Sequence, residues 1–453
     1  MKSKSQLPTT WLILFFINTV VGSTSSSDED GVVYQRPNEY KKWRTNPKMV
    51  LFSDSTGDSG RRLNAPASFS FEGIGAFPWL KLFSANDTDE KFRAYLPSPG
   101  APTNGKVWAD WLRIPEELNF ATSSGTMTAS YRSRQSCTGY TGEGEDFPTG
   151  TLEEQIDRYF NDIVNGGNNE TLDYTHIIVL GANDIGEFFG AISRYQLGQA
   201  LQEQGAFGNS SYEDPVPYNQ VFEIVDGTPQ INAELLVSVS YTPVIYGVVT
   251  ALSTGIQRLL AKGVTGRILV ANIISFRGLL DLVLAGVAEA FDEVAVAIGA
   301  AIEELANTNP QLRLIDVYTL FAAIVDDPSV FEKLGFSGAD GASEDNPVPL
   351  GIPCLQFQFA SDSTSEIMGT QALRAESCQE ECALCADTTS PCQNCYAGNP
   401  SATICDDPDS RILWDIRHPT TAFHLILAEA IRQCSKDQPN GERPFVEILC
   451  PDV

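Results

Sequence analysis

Positive charge is in short supply in this chain. Lys and Arg number 30 against 58 Asp and Glu, a formal net charge of −28 over 453 residues. Phosphate backbones need basic surface, so the balance excludes a general nucleic-acid binder. It also argues against electrostatic docking on anionic membranes. Histidine is scarcer still. With 3 in the chain, imidazole chemistry has only His176, His418 and His424 to draw on. Long uncharged apolar runs are missing from the body of the sequence. The best candidate, 278–305, is interrupted by Asp281, Glu289, Asp292 and Glu293. Its apolar residues Phe291, Val294, Ile298, Ile302 and Leu305 recur at the spacing of one helix face, which predicts an amphipathic core helix. A disordered composition is excluded too, since 42% of residues are hydrophobic and 19% charged.

What is present begins with an export signal. Lys2 and Lys4 precede an apolar stretch, Trp11 to Val21, too short for a comfortable membrane span. Small residues follow at Gly22 and Ser23, so residues 1–23 read as a signal peptide and 24–47 as a polar lead. Sequons at Asn86, Asn169 and Asn209 fit a secreted, extracellular glycoprotein. The 10 cysteines are an even count, which suits disulfides in an exported chain. Cys378, Cys382, Cys385, Cys392, Cys395 and Cys405 cluster and include two Cys-x-x-Cys pairs. Zinc is the alternative use for such pairs, and disulfides are the reading that export favours. Their connectivity stays open.

Length alone suggests about three domains, but the pattern favours one. Short apolar runs at 49–52, 177–180, 268–271 and 312–315 read as buried strands of a parallel sheet. Helical stretches lie between them: 244–262 ending at Gly263, 291–306, and a last one at 422–434. This alternation predicts an α/β fold. A segment rich in Ser, Thr, Pro, Asp and Cys, about 343–405, breaks it and reads as a disulfide-tied insertion.

Polar residues just past the C-terminal ends of parallel strands form the usual active-site edge of such a sheet. Ser53-Asp54-Ser55 follows the first run, Gly181-Ala182-Asn183-Asp184 the second, and Trp414-Asp415-Ile416-Arg417-His418-Pro419 precedes the final helix. A serine hydroxyl needs a base, an imidazole serves as one, and a carboxylate fixes its tautomer. An Asn side chain can hydrogen-bond a developing oxyanion. Ser55, His418, Asp415 and Asn183 therefore make a hydrolase set. Gly57-Asp58-Ser59 offers a competing serine, but Ser59 lies deeper past the strand than Ser55. His176 reads as structural and His424 as facing away from His418.

In this order the blocks resemble the GDSL-type, or SGNH, ester hydrolases, over about Met49 to Glu429 with the cysteine-rich insertion outside it. Residues 50–60, Val-Leu-Phe-Ser-Asp-Ser-Thr-Gly-Asp-Ser-Gly, are similar to the family's first block, Phe-Gly-Asp-Ser-x-Ser-Asp-Thr-Gly. Residues 103–108 resemble its Ser-Asn-Gly-x-Val-Trp segment, and 118–125 its Asn-Phe-Ala-x-Gly-Gly-Ala block. Gly181 to Asp184 matches Gly-x-Asn-Asp, residues 316–321 resemble the segment after the last strand, and 405–422 is the closest match. The resemblance implies an SGNH-hydrolase-like, flavodoxin-like sheet with helices on both faces, forming one domain over 48–453. It implies Ser55, His418 and Asp415 as catalytic triad. It implies an oxyanion hole from the N–H groups of Ser55 and Ser124 and the Asn183 side chain. The implied activity is a secreted carboxylic ester hydrolase acting on lipid acyl esters or acetylated carbohydrates, small or polymer-borne. It needs no metal or organic cofactor and no integral membrane segment. Two family glycines are replaced, by Ser53 and Ser124. Residues 69–80 line a substrate groove or pack as a core loop. The rival readings are a secreted binding protein on a decayed hydrolase scaffold and an acyltransferase using the same triad.

Overall fold

The computed structural model describes residues 48–59, 103, 105–121, 125–128, 150–186, 188, 222–225, 228–231, 241–279, 288–327, 329–330, 334–336, 353–358, 401–414, 418–436 and 450. Four short apolar segments form one parallel sheet: β1 (Met49–Ser53), β2 (Thr175–Val179), β5 (Ile268–Ala271) and β6 (Leu312–Ile315), in the order β1-β2-β5-β6. Two further pairs are antiparallel: β3 (Phe222–Val225) with β4 (Thr228–Ile231), and β7 (Leu355–Gln358) with β8 (Ser401–Ile404). The predicted α/β fold with a parallel sheet is present, and all four expected strands occur within a few residues of their expected places.

Each sheet strand is a β-branched or leucine-rich run without a charged break, apart from Arg313 in β6. Such runs suit strands covered on both faces. Register is set from β1 outward, with Met49 opposite Thr175 and Ser53 opposite Val179, then Ile177 opposite Leu269, then Val270 opposite Leu314. β1 ends this order yet is buried along its whole length. The segment around Asn119 covers its outer edge: Phe120 N donates to Leu51 O at 2.8 Å. An exposed edge strand would otherwise offer unpaired backbone groups for association.

Among the described residues the α-helices are α1 (Trp108–Leu112), α2 (Leu152–Arg158), α3 (Thr242–Ala261), α4 (Ala288–Thr308), α5 (Val317–Asp326) and α6 (Thr421–Cys434). α2 starts with a reciprocal cap. Thr151 Oγ1 accepts from Glu154 N at 3.3 Å, while Thr151 N donates to Glu154 Oε2 at 3.1 Å. Thr420 caps α6 and Asp316 caps α5. The apolar face foreseen for α4 is inward: Val294, Ile298 and Ile302 are buried, and Phe291 and Leu305 pack against the core. α3 ends before Gly263 as expected. By length and composition α3 could cross a membrane, with a mean hydropathy of 1.4, and 33% of that stretch is buried. Its buried residues, Val244, Val248, Leu252, Ile256 and Leu259, form one stripe. α3 packs on α2 and α4, and α6 packs on α1.

Among the described residues two disulfides are formed, Cys354–Cys405 and Cys434–Cys450, with Cα separations of 4.8 and 5.4 Å. The first closes the base of the β7–β8 hairpin, which brackets 359–400. That hairpin hangs on the segment leading to His418, because Cys354 N donates to Leu413 O at 3.0 Å. Residues 1–47, the other six cysteines and 69–80 lie outside the described residues.

Candidate active site

β1 ends at Ser53, and the chain turns at once. Gly57 N donates to Asp54 O at 3.2 Å and Asp58 N to Ser55 O at 3.4 Å. The Asp54 side chain shapes this turn by accepting from Thr56 N at 2.9 Å and Thr56 Oγ1 at 2.8 Å. Such local carboxylate bonds are a standard device of tight turns. Burial pushes the Asp54 carboxyl above its ordinary pKa, against the downward pull of the Thr56 bonds and of the nearby His418 imidazole. The turn carries Ser55, 8% exposed, at the C-terminal edge of the sheet.

His418 arrives from the other end of the chain. Trp414 N donates to His418 O at 2.7 Å, Thr420 N donates to Ile412 O at 2.8 Å, and Leu413 bridges Pro419 antiparallel. The backbone at 412–414 and that at 418–420 thereby run side by side. A strap from 103–111 holds this pair in place. Thr103 Oγ1 donates to Pro419 O at 2.8 Å. Lys106 N donates to Thr421 Oγ1 at 2.9 Å, and that hydroxyl donates to Lys106 O at 2.9 Å. Trp111 Nε1 donates to Thr421 O at 3.3 Å. In consequence His418 Nε2 lies 3.1 Å from Ser55 Oγ, a hydrogen bond between groups 363 residues apart in sequence.

Asn183 stands in a helical turn over 182–186, just past β2. Gly181, with φ at 117°, makes the turn out of the strand, a backbone angle that side chains disfavour. The Asn183 amide donates to Gly125 O at 2.9 Å, which ties the block around Gly125 to this strand end. Its neighbour Asp184 accepts from Met127 N at 2.7 Å and Thr128 N at 2.9 Å. Of the residues singled out in the sequence, Ser55 and His418 meet, and Asn183 occupies the next strand end. Asp415 and Ser124 lie outside the described residues.

The competing serine is otherwise engaged. Ser59 Oγ donates to Asp110 Oδ1 at 2.7 Å and receives Asn119 Nδ2 at 3.3 Å. His176 sits inside the sheet, with Nδ1 2.8 Å from Tyr174 O and Nε2 3.2 Å from Tyr159 Oη. Burial lowers its pKa to about 4. His424, in α6, is fully buried, and neither ring nitrogen has a hydrogen-bond partner. Burial, with a smaller repulsion from His418, lowers its pKa to about 3.

The residue that holds the backbone entering the Ser55 turn is not marked in the sequence. Gln155, fully buried on α2, clamps Ser53. Ser53 N donates to Gln155 Oε1 at 2.9 Å, and Gln155 Nε2 donates to Ser53 O at 3.0 Å and to Gly150 O at 2.8 Å. One amide side chain thus does the work of a neighbouring strand at the end of β1. A Gln in an amphipathic helix gives no sign of this. The one available clue is that it falls between buried Leu152 and Ile156, on the inward face. No protein-family model and no curated protein matches this chain.

Proposed function

We propose that this chain is a secreted serine ester hydrolase of the GDSL, SGNH-like type. The observation that carries the reading is the 3.1 Å approach of His418 Nε2 to Ser55 Oγ at the C-terminal edge of a parallel sheet. With Nε2 toward the serine, Nδ1 is the ring nitrogen left for Asp415. A neutral ring protonated at Nδ1 then presents a lone pair to the Ser55 hydroxyl.

In the proposed reaction Ser55 Oγ attacks the ester carbonyl carbon while His418 Nε2 takes the hydroxyl proton. The tetrahedral oxyanion is met by the N–H groups of Ser55 and Ser124 and by the Asn183 amide. An amide NH₂ has two protons, so Asn183 can keep its bond to Gly125 O and still offer the second. Collapse passes the His418 proton to the leaving alcohol and leaves an acyl-Ser55 ester. Water, deprotonated by His418, attacks that ester and releases the acid. No metal or organic cofactor enters these steps. The SGNH-like form of the fold, the extracellular location and the choice among lipid and acetyl esters belong to the same proposal.

The test is a fluorophosphonate probe followed by peptide mapping, alongside hydrolysis of p-nitrophenyl esters of graded chain length. Covalent label on Ser55 with turnover of at least one ester is expected. A purified, folded chain that takes no label and turns over none of them is instead a binding protein on a hydrolase scaffold.

A further inference from the structure

Ser53 departs from the glycine of the GDSL block, and the structure offers a physical reason why it can. The block Phe-Gly-Asp-Ser-x-Ser-Asp-Thr-Gly, laid on 52–60, differs at three positions: Ser59 stands for threonine, and the other two differ in opposite senses. Ser53 stands for glycine, and Gly57 stands for serine. These two residues face each other across the nucleophile's turn. A Cβ built on Gly57 would lie 2.7 Å from Ser53 Oγ, 2.8 Å from Ser53 Cβ and 3.1 Å from Leu51 Cδ2. Ser53 is 0% exposed, so its hydroxymethyl group has nowhere to retreat. The slot holds one such group and not two.

Backbone shape does not decide which residue supplies it. Among the described residues Arg113 is the one non-glycine with positive φ, and Gly57 is not among the glycines with positive φ. A side chain at Gly57 is therefore not barred by backbone angle; it is barred by Ser53, whose Oγ and Cβ make the two closest contacts, while the tip of Leu51 at 3.1 Å has only to give by a few tenths of an ångström. The Ser53 hydroxyl makes no hydrogen bond of its own. Its contribution is the volume it fills beneath the turn that holds Ser55.

We propose that Ser53 and Gly57 are an exchanged pair, one filling the slot that the other leaves open, and that this filling positions the Ser55 hydroxyl toward His418. The positioning half rests on the hydrolase reading above. The packing half does not.

The experiment is a double-mutant cycle of Ser53→Gly, Gly57→Ser and both together, with Ser53→Ala as the conservative variant. Four quantities are read: thermal midpoint, kcat, KM and the rate of phosphonate labelling of Ser55. Gly57→Ser alone overpacks the slot and should lower the midpoint by about 1–3 °C. Its kcat and labelling rate should fall by about 10- to 100-fold with KM little changed, the signature of a displaced nucleophile. Ser53→Gly alone should be milder. The double variant should recover to within about threefold of the starting kcat and most of the midpoint, because non-additivity marks residues in contact. Ser53→Ala keeps the Cβ and loses only an unpartnered hydroxyl, so its midpoint should hold or rise. Additive effects, with Gly57→Ser equally damaging whether or not Ser53→Gly accompanies it, overturn the pair. Recovery of the midpoint without recovery of kcat and labelling overturns the positioning role. A starting protein that takes no phosphonate removes the hydrolase reading and the positioning role together, while the thermal cycle still decides the packing.

Discussion

Two serines lie just beyond the C-terminal ends of strands in the same sheet, and their surroundings differ. Ser275, past β5, donates to Asp292 Oδ1 at 2.7 Å. The same carboxylate accepts Phe276 N at 2.9 Å and Tyr318 Oη at 2.6 Å, and Arg277 Nε stands 3.4 Å away. Ser275 is thus held by a charged acceptor within a closed network that joins the β5 loop to α4 and α5. Tyr318 is accordingly pushed well above its ordinary pKa, first by burial and then by its bond to Asp292. Ser55, past β1, faces an imidazole instead. A carboxylate with three donors holds a hydroxyl in place, whereas an imidazole can take its proton and return it. Position at the strand end is shared by both serines, and the partner separates a structural serine from a candidate nucleophile.

The largest expected effect breaks the candidate site alone. Ser55→Ala and His418→Ala should each lower ester-hydrolysis kcat by roughly 10⁴- to 10⁶-fold, because nucleophile and base act as a unit. Asp415→Asn should be milder than either, since the base remains. Ser275→Ala should leave kcat within a few-fold. Steady-state kinetics on a p-nitrophenyl ester check all four. A dead Ser275→Ala beside an active Ser55→Ala would reverse the assignment.

The second effect breaks the other region. Asp292→Ala strands the Ser275 and Tyr318 hydroxyls and removes one of the two carboxylates around Arg277. It should cost about 3 kcal/mol in stability, as loss of a buried charged partner does. Urea unfolding measures it, and a change under about 1 kcal/mol would show the network to be dispensable.

A third effect is pH-dependent. The pKa of His424 is lowered to about 3 in the folded protein, from an ordinary 6.5. Between these values the unfolded chain binds a proton that the folded chain does not. Its stabilising contribution is therefore complete above about pH 6.5 and is lost as pH falls, by about 2 kcal/mol at pH 5. Asp54 works in the opposite sense. Its raised pKa makes folding bind a proton in a window that begins near 3.8 and extends upward. His424→Leu should flatten the acid limb between pH 6.5 and 5 in denaturant titrations. An unchanged slope there would mean that His424 takes up its proton in the folded state.

The smallest effect sharpens the choice between neighbouring serines. Ser59→Ala removes one donor to Asp110, whose pKa burial already raises. It should cost about 1 kcal/mol of stability and leave most of the activity. Loss of activity to the degree seen with Ser55→Ala would move the nucleophile to Ser59.

How far the sequence carries depends on the range of the interaction. The strands at 49–53, 175–179, 268–271 and 312–315 were legible because an uninterrupted apolar run can be satisfied only by burial on both faces. The α4 helix was legible because its apolar residues return every three or four positions. Ser55, Asn183 and His418 could be named because each follows a strand or precedes a helix within a few residues. Gln155 could not, because its partner, the Ser53 backbone, is 102 residues away and nothing near Gln155 records it. Residues 103–108 were recognisable as a block, but the grip of Lys106 and Trp111 on Thr421, more than 300 residues on, was not. The Cys354–Cys405 and Cys434–Cys450 pairs were open for the same reason. By itself the sequence determined which segments must be buried and where the chain must turn, because burial and turn chemistry are written in neighbouring residues. The tertiary structure alone decided which turn ends face each other, including Ser55 and His418, because those distances depend on the order in which buried strands lie side by side.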